Sequence, residues 1–293
     1  MSEFATIGIT GRLDSDQAVY TLNRLIAFLQ AQSIKLVIEQ GTAQVLSGNG
    51  GEVVSREELG KRCDLVIVVG GDGSMLWAAD ALAKYNVPLL GVNQGRLGFL
   101  TDIRPDQIEA LVAEVLAGKY ITETRFMLGM SVTRDGKVIG QGESLNDVVM
   151  HPGQLIRMIE FELYIDEEFV YSQRSDGIIV STPTGSTAYG LSAGGPLVHP
   201  RMDAIVLVPL NPHTLSSRSI VVDGSSEIKL LIGKNNTVKP HITCDGHSHV
   251  ETEPGDVVHV HKHPWKLHLV HPLNHNFYEA CRSKLGWNSY IRS

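Results

Sequence analysis

The sequence predicts an α/β domain followed by an all-β domain, and two observations support this prediction. Up to Gly118, apolar runs typical of strands alternate with amphipathic helical patterns, as in a parallel sheet covered by helices on both faces. After Tyr120, short alternating segments follow one another with turn residues between them, which is typical of a β-sandwich. We therefore predict domains at residues 1–120 and 121–272, followed by a tail at 273–293.

The first domain is predicted from hydrophobic periodicity and from signals at the ends of helices. Its strands are placed at Ala5–Thr10, Lys35–Glu39, Leu65–Val69 and Pro88–Val92. Its helices are placed at Asp14–Gln32 with Asp14 as N-cap, after the capping box Ser55–Glu58, over about 74–84, and from Pro105 to Gly118.

The second domain is predicted from short strands of alternating polarity. These lie at Met127–Thr133, Lys137–Gly140, Met158–Ile165, Phe169–Gln173, Ile220–Val222, Glu227–Ile232, Val238–Cys244 and Val257–His261. The tail has a helical pattern over Asn276–Trp287.

Composition argues against several classes of protein. The net charge is −7 and there is no long basic run, which argues against binding to nucleic acid. No apolar run reaches the ~18–20 residues of a membrane span, and residues 1–12 lack the pattern of a signal peptide. The cysteines Cys63, Cys244 and Cys281 are odd in number and lack metal-ligand spacing. We therefore expect reduced thiols in a cytoplasmic protein.

The segment DLVIVVGGDGSM, residues 64–75, is the most informative motif. A buried strand ends at Gly70–Gly71 and a helix follows, which is where α/β proteins bind phosphate. Asp72 is unexpected there, because a carboxylate repels a phosphate by roughly 4 kcal/mol at ~4 Å and an effective dielectric constant of ~20. Asp72 therefore needs either a metal ion to bind or a proton to remove.

Three further polar segments follow strands or begin them. Residues 91–102, GVNQGRLGFLTD, follow the next strand and are expected to lie beside the first motif. Residues 174–196 are rich in glycine and hydroxyl groups, which can surround a ribose, an amide or a phosphate. The hydroxyls belong to Ser181, Thr182, Thr184, Ser186 and Thr187, and Tyr189 can stack or hydrogen-bond. Asn146–Asp147 taken alone favours an Asx turn. Neither a GxxxxGK[ST] loop nor a GxGxxG fingerprint is present.

Together, these segments resemble the bacterial NAD kinase family, and the resemblance covers the whole chain. The matching blocks occur in the family's order: GGDGSML, GVNQGRLGFLTD, LNDVVMHPG, RSDGIIVSTPTGSTAYGLSAGGP, LVPLNPHTLSSRSIVV and KLGW. GGDG alone is shared with lipid kinases and phosphofructokinase-like proteins, whereas Thr184–Pro196 is far more specific. The resemblance implies a Rossmann-like, phosphofructokinase-like parallel sheet, a C-terminal β-sandwich, and a tail that returns to the N-terminal domain.

The resemblance also implies an activity. ATP would donate its γ-phosphate to the 2′-hydroxyl of the adenosine ribose of NAD, giving NADP, with Mg²⁺ neutralising the phosphates. Asp72 would accept the hydroxyl proton; alternatively it helps hold Mg²⁺, and the sequence does not separate the two roles. No residue is assigned as a resident metal ligand. The family further implies a homo-oligomer, either a dimer or a tetramer, in which a neighbouring subunit completes the dinucleotide site.

The resemblance assigns most nucleotide contacts to polar and small residues of these blocks. They are Asp72, Gly73, Asn146, Asp147, Asp176, Thr187, Ala188, Tyr189, Gly190, Leu191 and Ser192. Arg157 and Arg174 suit a pyrophosphate or an added 2′-phosphate, although each could instead form a surface ion pair. His247 lies where the family often has Gln, and Arg218-Ser219 replaces its usual Arg-Pro.

Two other functions and one other site stay open from the sequence. A lipid kinase of the diacylglycerol or sphingosine type shares the GGDG turn, and a non-enzymatic sensor of NADP(H) could use the same nucleotide contacts. His259, His261 and His263 alternate and would share one face of a strand. With His247 and His249 they could bind zinc, or they could form a solvated face.

Overall fold

The computed structural model describes residues 3–11, 16–46, 50–95, 98–153 and 157–287. The chain forms two compact units: unit 1 comprises residues 1–124 and 266–293, and unit 2 comprises residues 125–265. The domain boundaries proposed from the sequence stay a prediction. No helix in the described ranges is long and apolar enough to cross a membrane.

Unit 1 begins with alternating strands and helices, as predicted. The strands are β1 (Thr6–Gly11), β2 (Lys35–Glu39), β3 (Glu52–Val54), β4 (Leu65–Val69) and β5 (Leu89–Val92). The helices are α1 (Asp16–Ala31), α2 (Gln40–Ala43), α3 (Arg56–Arg62), α4 (Asp72–Leu82) and α5 (Ile108–Leu116). The strands pair in parallel in the order β5-β4-β1-β2-β3.

The ends of these helices test the predicted caps. Ser55 caps α3, since its side chain accepts a hydrogen bond from the N–H of Glu58. The predicted cap Asp14 lies outside the described residues. Helix α4 begins at Asp72, two residues before the predicted start at Ser74, and the extended residue Gly71 is its N-cap. Pro105 begins a short 3₁₀ turn, and α5 follows it.

Unit 2 is a pair of antiparallel sheets around one core. Its strands are β6 (Tyr120–Arg134, starting in unit 1), β7 (Lys137–Ser144), β8 (Asp147–His151), β9 (Ile159–Ile165), β10 (Glu168–Ser175), β11 (Gly177–Ser181), β12 (Ala204–Leu210), β13 (Ile220–Asp223), β14 (Ile228–Ile232), β15 (His241–Cys244), β16 (Ser248–Glu251) and β17 (Val257–Pro272, ending in unit 1). One sheet has the order β13-β12-β11-β8-β15-β16, and β10, β9, β14 and β17 are consecutive in the other. Helix α6 (Tyr189–Ser192) lies between β11 and β12.

The predicted all-β character of this part is confirmed, but four strands were not predicted: the edge strand β16 and the inner strands β8, β11 and β12. Strands β11 and β12 are buried along their whole lengths, and buried strands of this kind lack alternation. Both strands overlap the sequence blocks that carry the functional motifs. Strand β17 continues well past the predicted end at His261.

The chain then returns to unit 1. Leu269 and Val270 of β17 pair in parallel with Leu89 and Leu90 of β5. Helix α7 (Phe277–Leu285) follows, capped by Asn276, whose side chain accepts hydrogen bonds from the N–H groups of Tyr278 and Glu279. The ring of Phe277 lies 6.2 Å from that of Phe99, so α7 lies against the segment that follows β5.

Phe161 provides a test of the core of unit 2. It lies on β9, is completely buried, and packs in the cluster formed by both sheets of the unit. We expect Phe161→Ala to lower the free energy of unfolding by about 3–5 kcal/mol, because it leaves a cavity. Phe169→Ala on the neighbouring strand β10 is the matched control, since Phe169 is 58% exposed, and should cost roughly 0.5 kcal/mol. Urea unfolding measures both; equal losses would contradict the assignment of the core.

Candidate active site

Asp72 is the first residue of α4, directly after the turn that ends β4. Gly70 has φ +156°, and a Cβ there would lie 2.1 Å from the Oγ of Ser74, so this turn requires glycine. The Ser74 N–H donates to the Gly71 carbonyl at 3.0 Å, whereas the earliest N–H groups of a helix lack intrahelical partners and the helix dipole favours negative charge at this end. The turn therefore combines an anion-binding helix start with a carboxylate.

The Asp72 carboxylate is held by the loop that follows β5. Its Oδ2 accepts the N–H of Phe99 at 3.1 Å, and its Oδ1 accepts the N–H of Leu100 at 3.0 Å. A Cβ on Gly98 would lie 2.2 Å from Oδ1, so only glycine allows this approach. Lys284 of α7 places its Nζ 3.9 Å from Oδ2. The carboxylate is thus fixed in orientation while its side chain stays 30% exposed.

This loop is itself fixed by hydrogen bonds within the GVNQGRLGFLTD segment. The side chain of Asn93 donates to the Thr101 hydroxyl at 2.7 Å, and the Asn93 N–H donates to the carbonyl of Ile103 at 2.7 Å. Because β4 and β5 are adjacent and parallel, the sequence correctly places this segment beside the GGDG turn.

In unit 2, Asn146 and Asp147 are positioned by a residue that the sequence did not indicate, Asp245. Its carboxylate accepts the N–H groups of Leu145, Asn146 and Asp147 at 2.8, 2.8 and 3.0 Å. Asp245 begins an Asp-Gly turn with φ +48°, and such a dipeptide signals a hairpin. Nothing in the sequence around it shows that the turn faces a segment a hundred residues away.

Asp147 is a buried carboxylate without a hydrogen-bond partner for its side chain among the described residues. It is 5% exposed. Burial, together with the nearby charge of Asp245, raises its pKa to about 7. Burial also raises the pKa of Asp245, although its three backbone N–H partners oppose the shift. A buried acceptor with open lone pairs is suited to a ligand that brings hydroxyl or amide donors.

Most hydroxyl groups of the glycine-rich segment form hydrogen bonds within the protein. Ser181 and Thr182 donate to the carbonyls of Asn146 and Leu145 at 3.2 and 2.6 Å, and Ser186 donates to Pro183 at 2.7 Å. Thr184 accepts from Arg125 at 3.1 Å, and Thr187 donates to the Thr184 carbonyl at 2.9 Å. These hydroxyls satisfy backbone groups of the loop and bind it to Leu145 and Asn146.

The predicted contact residues of unit 2 form two groups at opposite ends of β11. One group lies at the C-terminal end of β11, where Ser181 pairs with Asp147. Its members are Asn146, Asp147, Thr187, Ala188, Tyr189, Gly190, Leu191 and Ser192. Tyr189 is 48% exposed, whereas Gly190 is buried. His247 is exposed, and its N–H donates to the carbonyl of Cys244 in the same turn as Asp245.

The second group precedes β11. Asp176 accepts a hydrogen bond from Asn211 at 2.9 Å, and Arg174 is exposed two residues earlier. Arg157 is exposed just before β9, whose Glu160 pairs with Arg174. Five residues of extended strand separate the two groups by about 17 Å. The single sequence block of residues 174–196 therefore contributes residues to both groups.

The described side chains that could bind a metal ion lie close together in unit 1, and not at the alternating His259, His261 and His263 considered from the sequence. Among the described residues, the group able to surround an ion is Asp102, His271 and His275 of unit 1. The run at His259, His261 and His263 does not form such a group within the described ranges. His263 instead packs on Trp265 with ring centroids 4.4 Å apart.

Comparisons with known proteins agree with this architecture. The model of the ATP-NAD kinase N-terminal domain matches residues 7–120, and that of the C-terminal domain matches residues 145–272. The NAD kinase of Saccharophagus degradans is 63% identical over 290 residues, 99% of both chains. That of Pseudomonas syringae pv. syringae is 58% identical over 291 residues, 99% of this chain and 98% of that one.

Two solved structures are similar over nearly the whole chain. Yeast NADH kinase, complexed with NADH, has a TM-score of 0.88 at 25% identity, covering 98% of this chain and 89% of that one. An NAD kinase from Archaeoglobus fulgidus, in complex with ATP, has a TM-score of 0.71 at 23% identity, covering 96% and 97%, and shares the fold. The predicted fold class is therefore confirmed.

The pKa of Asp147 predicts a dependence of stability on pH. The folded state holds the Asp147 proton up to about pH 7, whereas an unfolded chain releases it near pH ~3.9. The ionised form therefore destabilises the fold, by an amount that grows as pH rises between these values and then levels off. We expect Asp147→Asn to raise Tm, relative to the parent, by more at about pH 8 than at about pH 5.

Differential scanning fluorimetry at the two pH values measures this effect. Asp80→Asn is the control, since Asp80 is exposed on α4 and its replacement should change Tm little at either pH. A Tm difference for Asp147→Asn that stays constant with pH would show that the carboxylate is not held protonated by its surroundings.

Proposed function

The chain belongs to the NAD kinase family, and we propose that it transfers the γ-phosphate of ATP to the 2′-hydroxyl of the adenosine ribose of NAD, giving NADP and ADP. The observation that best supports this proposal is the Asp72 carboxylate, oriented by the Phe99 and Leu100 N–H groups at the start of α4. ATP would enter as its magnesium complex, as a substrate.

Asp72 would act as the proton acceptor. A sugar hydroxyl is a weak nucleophile at neutral pH, and a carboxylate within hydrogen-bond reach can take its proton as the new P–O bond forms. The two backbone hydrogen bonds fix the Asp72 oxygens before substrate arrives, which leaves their other lone pairs for the hydroxyl. The N–H groups at the start of α4, including that of Gly73, suit the phosphates of ATP.

Residues of unit 2 would hold the dinucleotide. Asp147 is a buried acceptor whose side chain has no hydrogen-bond partner in the described ranges, and the ribose hydroxyls or the amide of NAD supply donors. Asn146 and the residues from Thr187 to Ser192 lie in the same hydrogen-bonded assembly. Tyr189, being half exposed, can stack on a base.

We further propose that the chain works as a homo-oligomer, a dimer or a tetramer. Arg157, Arg174 and Asp176 lie at the far end of β11 from Asn146–Asp147. They could therefore contact a dinucleotide held by a neighbouring copy, where the guanidinium groups would suit its phosphates. A cytoplasmic location is also proposed, supported by the free thiols of Cys63 and Cys281.

The alternatives from the sequence, a lipid kinase and a non-enzymatic sensor, are not favoured. Relatives at 57–63% identity over nearly the full length are NAD kinases. Incubating the protein with MgATP and NAD, and detecting NADP with an NADP-specific dehydrogenase, tests the proposal directly. Tight NAD binding with no NADP formed would favour the sensor, and phosphorylation of a lipid instead would favour the lipid kinase.

The role of Asp72 predicts the effect of removing its charge. We expect Asp72→Asn to lower kcat by ~10²-fold or more, with NAD affinity close to that of the parent; Tm should also fall, because the amide oxygen can accept only one of the two backbone N–H groups that the carboxylate accepts. Asp80→Asn on the same helix is the matched control and should keep full turnover. Measuring kcat over a range of Mg²⁺ concentrations separates the two roles of Asp72. A proton acceptor gives a loss that added Mg²⁺ does not restore, whereas recovery at high Mg²⁺ would make Asp72 a metal-holding residue.

A substitution at Gly98 should also lower turnover, because it would move the Asp72 carboxylate. A Cβ at Gly98 would lie 2.2 Å from Asp72 Oδ1 and 2.3 Å from the Thr101 hydroxyl, so Gly98→Ala must displace the carboxylate. We expect kcat to fall by at least ~10-fold, since a misplaced catalytic group loses proximity. Gly95→Ala in the same loop is the control, because a Cβ there would meet no atom within 4 Å and its backbone is not left-handed. Normal kcat in Gly98→Ala would show that the Asp72 position tolerates movement of its loop.

A further inference from the structure

Four ionisable side chains of unit 1 form a compact cluster outside the nucleotide-contact residues. Asp102 ends the loop after β5, Glu123 lies on β6, His271 lies near the end of β17, and His275 lies just before α7. The side chains of His271, His275 and Asp102 are 1%, 12% and 11% exposed. Two imidazoles and two carboxylates are thus gathered in a nearly dry part of the unit.

The Nδ1 atoms of both histidines point at the same carboxylate. Asp102 Oδ1 lies 2.9 Å from Nδ1 of His275, and Asp102 Oδ2 contacts Nδ1 of His271. The two imidazole rings stack with centroids 4.0 Å apart and an interplanar angle of 23°. One ligand atom from each of these residues therefore lies within 4.8 Å of the others, as in the shell around one small cation.

Glu123 lies behind the imidazoles, on the side away from Asp102. Its Oε2 is 3.4 Å from Nε2 of His271 and 4.0 Å from Nε2 of His275. The His271 Nε2 atom is buried and makes no hydrogen bond within the part of the chain described. If Nδ1 of His271 bound a metal, the proton of this imidazole would lie on Nε2, the nitrogen that faces Glu123, and a carboxylate in this position is common behind metal-binding histidines.

The cluster opens on one side into a cavity of about 400 Å³. Asp102 and His275 line this cavity together with Arg104, Gln107, Asn276 and Glu279. A cation held by three protein ligands would therefore have space for water or a small anion at a fourth position, as tetrahedral ions require.

We propose that Asp102, His271 and His275 bind one zinc-class divalent ion, with Glu123 as the outer carboxylate. Two imidazole nitrogens and one carboxylate oxygen suit zinc and its transition-metal neighbours, whereas Mg²⁺ prefers oxygen ligands and water. The proposal concerns a resident ion, distinct from the Mg²⁺ that accompanies ATP, and it does not depend on the proposed function.

The ion would help to fix the position of the Asp72 side chain without contacting it. Asp102 is two residues after Leu100, whose N–H holds Asp72, and His275 precedes α7, whose Lys284 approaches Asp72. A metal linking Asp102 to His271 and His275 would join the loop to the C-terminal segment. These three residues are therefore positioning residues rather than catalytic ones.

Metal content of the untagged full-length protein tests the proposal. After removal of metal with a chelator and dialysis against Zn²⁺ or Co²⁺, we expect one ion per chain by mass spectrometry of the metal. The Co²⁺ form should show the visible d–d absorption of a four-coordinate site. His275→Ala should lose the ion and the absorption. His259→Ala, taken from the alternating run in unit 2, should keep both.

A conservative variant separates loss of the site from loss of the fold. His275→Cys keeps a metal ligand, so it should bind Co²⁺ and add a thiolate-to-cobalt charge-transfer band in the near ultraviolet. Circular dichroism and Tm confirm that each variant is folded. Metal content below about one tenth per chain in the parent would overturn the proposal and leave the cluster as a metal-free ion pair network. Equal metal content in parent and His275→Ala would also overturn it.

Discussion

The arrangement of unit 1 around its GGDG turn depends on the bond between the Asp72 carboxylate and the N–H groups of Phe99 and Leu100. A carboxylate beside a phosphate costs roughly 4 kcal/mol. Hydrogen bonds to a charged group contribute about 1.5–3 kcal/mol each, so two of them offset that cost. The Asp72 carboxylate is therefore stabilised at a helix start that would otherwise suit only anions from outside.

In unit 2, too, an aspartate carboxylate fixes a segment that is distant in sequence by accepting its backbone N–H groups. Asp245 accepts three backbone N–H groups and thereby fixes the segment Leu145–Asp147. The carboxylate of Asp147 is left buried beside it and without a partner in the described part of the chain, which raises its pKa. Asp245 thus accepts three hydrogen bonds, whereas the Asp147 side chain accepts none within the described residues. A ligand with hydroxyl donors can form hydrogen bonds to the Asp147 carboxylate.

Local patterns predicted the elements better than they predicted the contacts. The strand that ends at Gly70, the helix after it and the adjacent loop of residues 91–102 follow from periodicity and from parallel topology. The direction of the hydroxyls at Ser181, Thr182 and Ser186 does not, because a serine that binds a carbonyl and one that binds a ligand look alike in sequence. Asp245 and His271 act on segments about 100 and 169 residues away. No window along the chain contains both partners.

The two ends of one short segment, residues 98–102, explain why Asp72 can hold a single orientation. At one end its backbone N–H groups bind Asp72; at the other, Asp102 is bound by His271 and His275. Hydrogen bonds at both ends of this segment restrict its movement when a phosphate approaches Asp72. Reorganisation of polar groups during reaction is what makes water a poor catalyst, and groups already fixed avoid that cost. If Asp72 is the proton acceptor that we propose, the rigidity of this segment serves the reaction, and the histidine cluster contributes to that rigidity.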